Sequence, residues 1–414
     1  MARKDNKNRN LKTGESYRVS DGLYMYSYTD AMTGKRQTVY ARDLPELRAK
    51  EKQIEKDIAD NILTDSAVKK LTVNKLVDRY LKTRELADTT RVNYVKMWNN
   101  RAKDEIGNLK VIQLRSSHVK GFYAKMSRSG YSHSTIKMIH TMLYPALEMA
   151  VDDNIIRKNP SKNCLVSDYG VSVKEKEILT LEQQKKLLDF VADSNIYGQY
   201  IWMLQIFLEV GLRCGELLGL TISDVDMLNR EIVINHQLIY KNLGDGCRFH
   251  ISSTKTDAGI RVIPMNNIVY NAFEQQFRIN KILDKACNIE VDGYTDFVFL
   301  AKTGRPLMPS AVNNVLYNII DAYNVEELEK ARKECRKAEL LNKISVHSLR
   351  HTACTNMALQ GINIKVLQYI MGHASCDISL DTYSHITNQS IVKDEIQKYD
   401  SAIANENTIF KKMV

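Results

Sequence analysis

The stretch Gly211-Leu212-Arg213-Cys214-Gly215-Glu216-Leu217 decides how this 414-residue chain reads. Before it runs an apolar segment, residues 200–210, whose apolar positions go nearly all the way round a helix. A central buried helix over 198–210 is therefore predicted, stopped by the glycine. Three further polar patches follow. They are the pattern Lys255-Thr256-x-x-x-x-Arg261-x-Ile263-Pro264, then His347-Ser348-Leu349-Arg350-His351, then Met371-Gly372-His373, with Tyr383-Ser384-His385 beginning ten residues beyond His373. Singly, each is a common fragment: an arginine at a helix start, a histidine at a helix end, a tyrosine packing a core. Their order and joint spacing carry the information.

Composition sets the frame. A chain of this length exceeds one ordinary core and suggests two to four domains. Apolar residues at 44% and charged residues at 26% describe a soluble globular protein. A net charge of +10 favours a polyanionic partner, although ribosomal and membrane-surface proteins share that bias. The seven cysteines, at 164, 214, 247, 287, 335, 354 and 376, make no Cys-x-x-Cys pair and read as reduced thiols. The polar start lacks an apolar run, so no signal peptide is expected, and residues 200–210 are too few to cross a bilayer. The expected location is cytoplasmic.

Outward from the decisive stretch, the chain divides. Residues 1–20 are basic and read as a flexible arm, followed by strands at 17–19, 23–28 and 36–40. Asp43-Leu44-Pro45-Glu46 reads as a helix start, with a helix to about residue 61. Five tyrosines, at 17, 24, 26, 28 and 40, lie among basic residues: most pack sheet on helix, or one sheet face enters a DNA groove. Residues 70–160 carry helical periodicity, ending in a long helix stopped near Asn159-Pro160; basic residues on the opposite faces suit a DNA backbone. Residues 161–176 read as a linker, and Thr180-x-x-Gln183 as a capping box opening the largest domain. Strands are expected at 231–236, 249–253, 260–264 and 297–300, with Asp257-Ala258-Gly259 as a turn. The charged run 324–343 reads as a solvated helix or excursion without chemistry.

In its four patches the chain resembles the tyrosine recombinase (lambda-type integrase) family, most closely the integrases of conjugative transposons. The first box, Gly-Leu-Arg-x-x-Glu-Leu, supplies Arg213; the hairpin lysine falls on Lys255; the second box, His-x-x-Arg-His, supplies His347, Arg350 and His351; the family's Leu-Gly-His becomes Met371-Gly372-His373; the nucleophile falls on Tyr383. Val210 in place of a common threonine, Met371 for leucine and the long segment 324–343 are the departures. The resemblance implies a multidomain fold, mainly α with small β. Residues 1–62 would be an arm-site DNA-binding domain of three strands and a helix. Residues 70–160 would form an all-α core-binding domain, and 177–388 an α+β catalytic domain. The tail, 389–414, would dock on its own domain or on a neighbour. It further implies a DNA-bound homo-tetramer and leaves room for a directionality factor.

The residue types suit the implied reaction. Phosphodiester cleavage builds negative charge on the non-bridging oxygens, and preplaced cations lower that barrier. Arg213 and Arg350 can grip a phosphate in forked hydrogen bonds. Ionising a tyrosine with a pKa of about 10 at pH 7 costs roughly 4 kcal/mol. His347 is the first candidate to accept that proton, or else hydrogen-bonds the phosphate. Lys255 would protonate the leaving 5′-hydroxyl, His373 would bond a non-bridging oxygen, and Glu216 would buttress Arg213 or the fold.

Covalent catalysis through Tyr383 retains the bond energy, so no cofactor is expected. The chain carries no Gly-x-x-x-x-Gly-Lys-Ser/Thr loop and no acidic cluster suited to two-metal cleavage. His347 and His351, four apart, could begin a zinc site but lack an evident third ligand. The expected function is site-specific integration and excision of a mobile element. The rivals are a type IB topoisomerase-like relaxing enzyme and a non-catalytic DNA-binding regulator on a recombinase scaffold.

Overall fold

Short alternating segments with tight turns build the first module. The computed structural model describes residues 3–29, 34–59, 70–171, 177–253 and 259–373. Strands β1 (Glu15–Arg18), β2 (Leu23–Thr29) and β3 (Arg36–Ala41) form an antiparallel sheet in that order, with Tyr17 opposite Tyr24 and Tyr26 opposite Val39. Helix α1 (Leu44–Ala59) starts where the Asp43 carboxylate accepts the Glu46 amide at 2.8 Å. Its Leu44 and Leu47 pack with Tyr24 and Ala41. The tyrosines divide accordingly: Tyr24 and Tyr28 are buried, Tyr17 and Tyr26 half-buried, and Tyr40 exposed. The basic start is folded from residue 3, contrary to the loose arm expected. Asp5, itself buried, accepts the Lys7 and Arg9 amides, the Arg9 guanidinium and the Tyr24 hydroxyl.

Four helices follow: α2 (Val73–Thr83), α3 (Asp88–Arg101), α4 (Ser116–Arg128) and α5 (His133–Asp152). Thr72 and Ser132 cap α2 and α5 with their hydroxyls. Leu76, Tyr123, Ile136, Ile139, Met142, Leu143 and Leu147 are shut off from water, as the 3.6-residue period requires. The last helix ends at Asp152, earlier than expected, because Asn154 takes a left-handed conformation at φ 56°. The chain divides into two compact units between residues 174 and 175, and the modules above make up the first.

The second unit begins with α6 (Leu181–Asp193), whose Thr180/Gln183 capping box forms as read. Helix α7 (Ile201–Val210) is buried on most sides; residues 198–200, expected within it, form a separate 3-10 turn. After α8 (Cys214–Gly219) come β4 (Val225–Asp226), β5 (Glu231–Ile234), β6 (His236–Asn242), β7 (Cys247–Ser253) and β8 (Arg261–Pro264). They make a three-stranded sheet, β4-β5-β8, and the hairpin β6-β7. The run expected as one strand over 231–236 is thus split between two sheets. Helices α9 (Asn267–Ile282), α10 (Pro309–Lys333), α11 (Val346–Leu359) and α12 (Ile364–Met371) complete the described unit.

Residues 297–300 are buried but make only isolated bridges, Thr221 to Phe297 and Leu300 to Pro306. Their backbone bonds go to two different partners, Leu220 and Leu307, so the apolar run packs as core without a ladder. Asp257 and Ala258 of the expected turn lie outside the described residues. The charged run 324–343 is half helix and half strap. α10 continues to Lys333, Cys335 turns at φ 51°, and the chain runs back with Arg336 on Glu327 at 2.9 Å. Asn324 and Leu341 exchange two 2.8 Å bonds. The fold is therefore multidomain and mainly α with small sheets. Among the described residues, no helix is long and apolar enough to cross a membrane.

Leu143→Ala should lower the unfolding free energy by about 3 kcal/mol, because it leaves a cavity in a dry core. Thr180→Ala should cost about 1 kcal/mol through loss of the cap. Urea unfolding measures both, and a cap loss equal to or above the cavity loss would contradict this ranking.

Candidate active site

Local backbone chemistry places the first guanidinium. Helix α7 ends on Gly211, left-handed at φ 69°, and a Cβ there would meet the Met371 sulfur at 2.9 Å. Arg213 then occupies the N-cap of α8. Glu216 accepts the Arg213 amide at 3.0 Å and its Nη1 at 2.6 Å. The Arg213 side chain stays 41% exposed while that of Glu216 is 2% exposed.

Arg350 lies one turn into α11, which Ser345 caps. It is buried, and it donates from Nη1 to the Gly211 carbonyl at 2.8 Å and from Nη2 to that of Met371. Helix α12 closes on Gly372, left-handed at φ 60°. Arg213 Nη2 donates to the Gly372 carbonyl at 2.7 Å, and Arg261 Nε to that of Ile370 at 2.8 Å. Three consecutive carbonyls at one helix end thus each take a guanidinium, where the helix dipole is negative and the carbonyls lack helical donors.

Arg261 is the residue that sequence reasoning passed over. It stood in the lysine-box pattern but was given no role. Its guanidinium reaches Glu216 Oε2 at 2.9 Å and the Gly259 carbonyl at 3.0 Å. The signal was the period of two in β8, which puts Arg261 and Ile263 on the buried face.

Electrostatics follow from burial. Burial pushes the Glu216 carboxyl up, but Arg261 and then Arg213 outweigh it and hold the group below its usual value. Burial first, and Arg213 second, bring Arg350 down to about 10, so it remains charged at neutral pH. Burial, followed by the charges of Arg350 and Arg213, pulls His373 down to about 4. His373 is therefore a neutral imidazole at pH 7, able to donate one hydrogen bond without repelling the arginines.

A cleft of about 520 Å³ opens on this cluster. Arg213, Arg350 and His347 line it with Ser310, Asn313, Tyr317 and Ser345. His347 and His351 meet edge to face with ring centroids 4.6 Å apart. Of the expected site residues, Arg213, Arg350 and His373 come together around the 370–373 turn, and His347 shares the cleft with both arginines. Lys255 and Tyr383 lie outside the described residues. Among those described, no group of three or more His, Cys, Asp or Glu side chains could hold a metal ion.

The cationic cleft on this α+β domain suits phosphate chemistry, and comparison with known proteins identifies the class as the DNA-cleaving and rejoining recombinases. Residues 177–390 match the phage integrase family, and residues 1–58 match the DNA binding domain of tn916 integrase. The transposase from transposon Tn1545 of Streptococcus pneumoniae is 35% identical over 406 residues, 95% of each chain. That from Tn916 of Enterococcus faecalis is 34% identical with the same coverage. A solved Tn1549 transposon integrase in complex with transposon right end DNA aligns at a TM-score of 0.67 and 30% identity, covering 79% of this chain and 99% of that one. A lambda integrase tetramer bound to a Holliday junction shares the fold at a TM-score of 0.52 and 17% identity, covering 90% of this chain and 95% of that one. The chain belongs to the phage integrase family, and it is a site-specific tyrosine recombinase.

Because the folded His373 value lies below the usual 6.5, the unfolded chain binds the extra proton first. Its contribution to stability is present above about 6.5 and is lost as pH falls towards about 4. Urea midpoints of wild type and His373→Gln should therefore converge on acidification through that window, and parallel curves would contradict the neutral assignment.

Proposed function

We propose that this recombinase integrates and excises a mobile element through a 3′-phosphotyrosine at Tyr383, using neither ATP nor a metal ion. The observation that carries the reading is the convergence of Arg213, Arg350 and His373 on one turn beside an open cleft. Each guanidinium has five N–H donors, so the carbonyl bonds do not exhaust its capacity to hold a phosphate. Arg213 and Arg350 grip the scissile phosphate, and neutral His373 donates to a non-bridging oxygen. The Tyr383 oxygen attacks phosphorus as its proton passes to His347, which otherwise hydrogen-bonds the phosphate. The bond to the 5′-oxygen breaks, and Lys255 protonates that oxygen. A 5′-hydroxyl from a second duplex then reverses the step.

The relatives' names and complexes support the wider picture for this chain: transposon ends as substrate and a tetramer on DNA as the active form. Residues 1–62 bind arm sites, and 70–160 and 177–388 each bind core-site DNA; the tail, 389–414, lies outside the described residues. The reaction takes place in the cytoplasm, and its direction is open to control by an accessory directionality factor.

A suicide DNA substrate should trap a covalent adduct with wild type and none with Tyr383→Phe. Arg350→Ala should lower cleavage at least about a hundredfold, while DNA affinity, spread over many phosphate contacts, falls less than about tenfold. A plasmid carrying two sites should yield recombined circles; relaxation alone would make the enzyme topoisomerase-like, and an adduct surviving Tyr383→Phe would remove Tyr383 as nucleophile.

A further inference from the structure

Arg261 makes no contact with solvent, since its side chain is 0% exposed, yet it is ion-paired to a carboxylate that a second arginine already holds. A buried guanidinium is tolerated only when its donors are satisfied. Here they are distributed over Glu216 Oε1 at 3.3 Å, Glu216 Oε2 at 2.9 Å, Gly259 O at 3.0 Å and Ile370 O at 2.8 Å. Two of these partners lead to the phosphate pocket. Glu216 orients Arg213 through its amide and its Nη1. Ile370 begins the carbonyl series that continues through Met371, bonded to Arg350, and Gly372, bonded to Arg213, to reach His373.

The charges give this arrangement a purpose that packing does not. The cluster holds three guanidiniums and one carboxylate, which Arg213 and Arg261 share while Arg350 bonds only carbonyls, so two positive charges are in excess. Without Arg261 the whole of the Glu216 charge would fall on Arg213, halving that excess and drawing Arg213 away from the cleft. Stability alone is a weak reason to bury such a triad, because well-packed apolar groups often do as well.

We propose that Arg261 is a positioning residue for DNA cleavage: it absorbs part of the Glu216 charge and anchors the 370–373 turn, so that Arg213 and His373 face the scissile phosphate. It touches no DNA itself. The proposal rests on the reading that Arg213 binds that phosphate.

The test uses full-length Arg261→Lys and Arg261→Gln on two suicide substrates. One carries an ordinary scissile phosphodiester. The other carries a methylphosphonate, which has one negative charge fewer and less need of cations. On the phosphodiester, Arg261→Gln should cleave roughly ten- to a hundredfold more slowly than wild type, with Arg261→Lys in between. DNA affinity should change by less than about threefold, since no DNA contact is lost. On the methylphosphonate the deficit relative to wild type should shrink to within about threefold. Wild-type rates on the phosphodiester would overturn the proposal. So would an equal deficit on both substrates, or failure of both variants to give a cooperative thermal unfolding transition, since each marks a residue that only holds the fold. Arg213→Ala is run in parallel. If the methylphosphonate does not relieve its deficit, the assignment of Arg213 to the phosphate fails, and that failure is separate from any result for Arg261.

Discussion

The second unit is organised around cations set against the carbonyl end of one helix. The carbonyls of Ile370, Met371 and Gly372 take Arg261, Arg350 and Arg213 in turn, and Glu216 is the carboxylate among them. A helix C-terminus is a natural place for positive charge, both for its unsatisfied carbonyls and for its dipole. Yet carbonyl oxygens carry only partial charge. They can order three guanidiniums without neutralising them, whereas three carboxylates would have cancelled the field that a phosphate needs. One carboxylate, shared between two arginines, fixes geometry at a small electrostatic cost.

That choice explains the histidine beside them. His373 sits among arginines in a place largely closed to water, so protonation there is opposed by burial and by charge alike. In the proposed mechanism, a donor that stays neutral would add a hydrogen bond to a developing oxyanion without adding to the repulsion the fold must bear. Stabilisation of this kind acts in the transition state because the groups are already in place. The left-handed Gly211 and Gly372 are the backbone counterpart: each lets a helix end abruptly and aim a carbonyl at an arginine.

Much of this was legible in the sequence, because motifs and periodicities record local rules. The capping box at Thr180 and the apolar faces of the helices in 70–160 are each set within a few residues. Order and spacing single out Arg213, Arg350 and His373 as candidates, and the fold brings these three around one turn. What escaped depends on long-range partners. Arg261 reads as one basic residue in a strand until Glu216 and Ile370 are brought to it across 45 and 109 positions. Residues 297–300 look like a strand because apolar runs do not say whether a ladder partner exists. The basic start looked loose because the turn that buries Asp5 joins it to Tyr24, 19 residues away.

The same long-range character accounts for how a charged excursion can stand directly before the second box without disturbing it. The active-site bonds join positions 109, 139 and 159 apart, so the geometry is set by packing of the completed domain and not by chain length between motifs. Residues 324–343 leave along α10 and return as a strap, but Asn324 and Leu341 close its base with a reciprocal pair of hydrogen bonds. Glu327 clamps the middle by accepting from Arg336 and the Glu339 amide. The chain therefore re-enters Ser345 and α11 from a position fixed by α10. Loop-closure cost grows only slowly with length, so an excursion pinned at its base can lengthen while Arg350 stays in place.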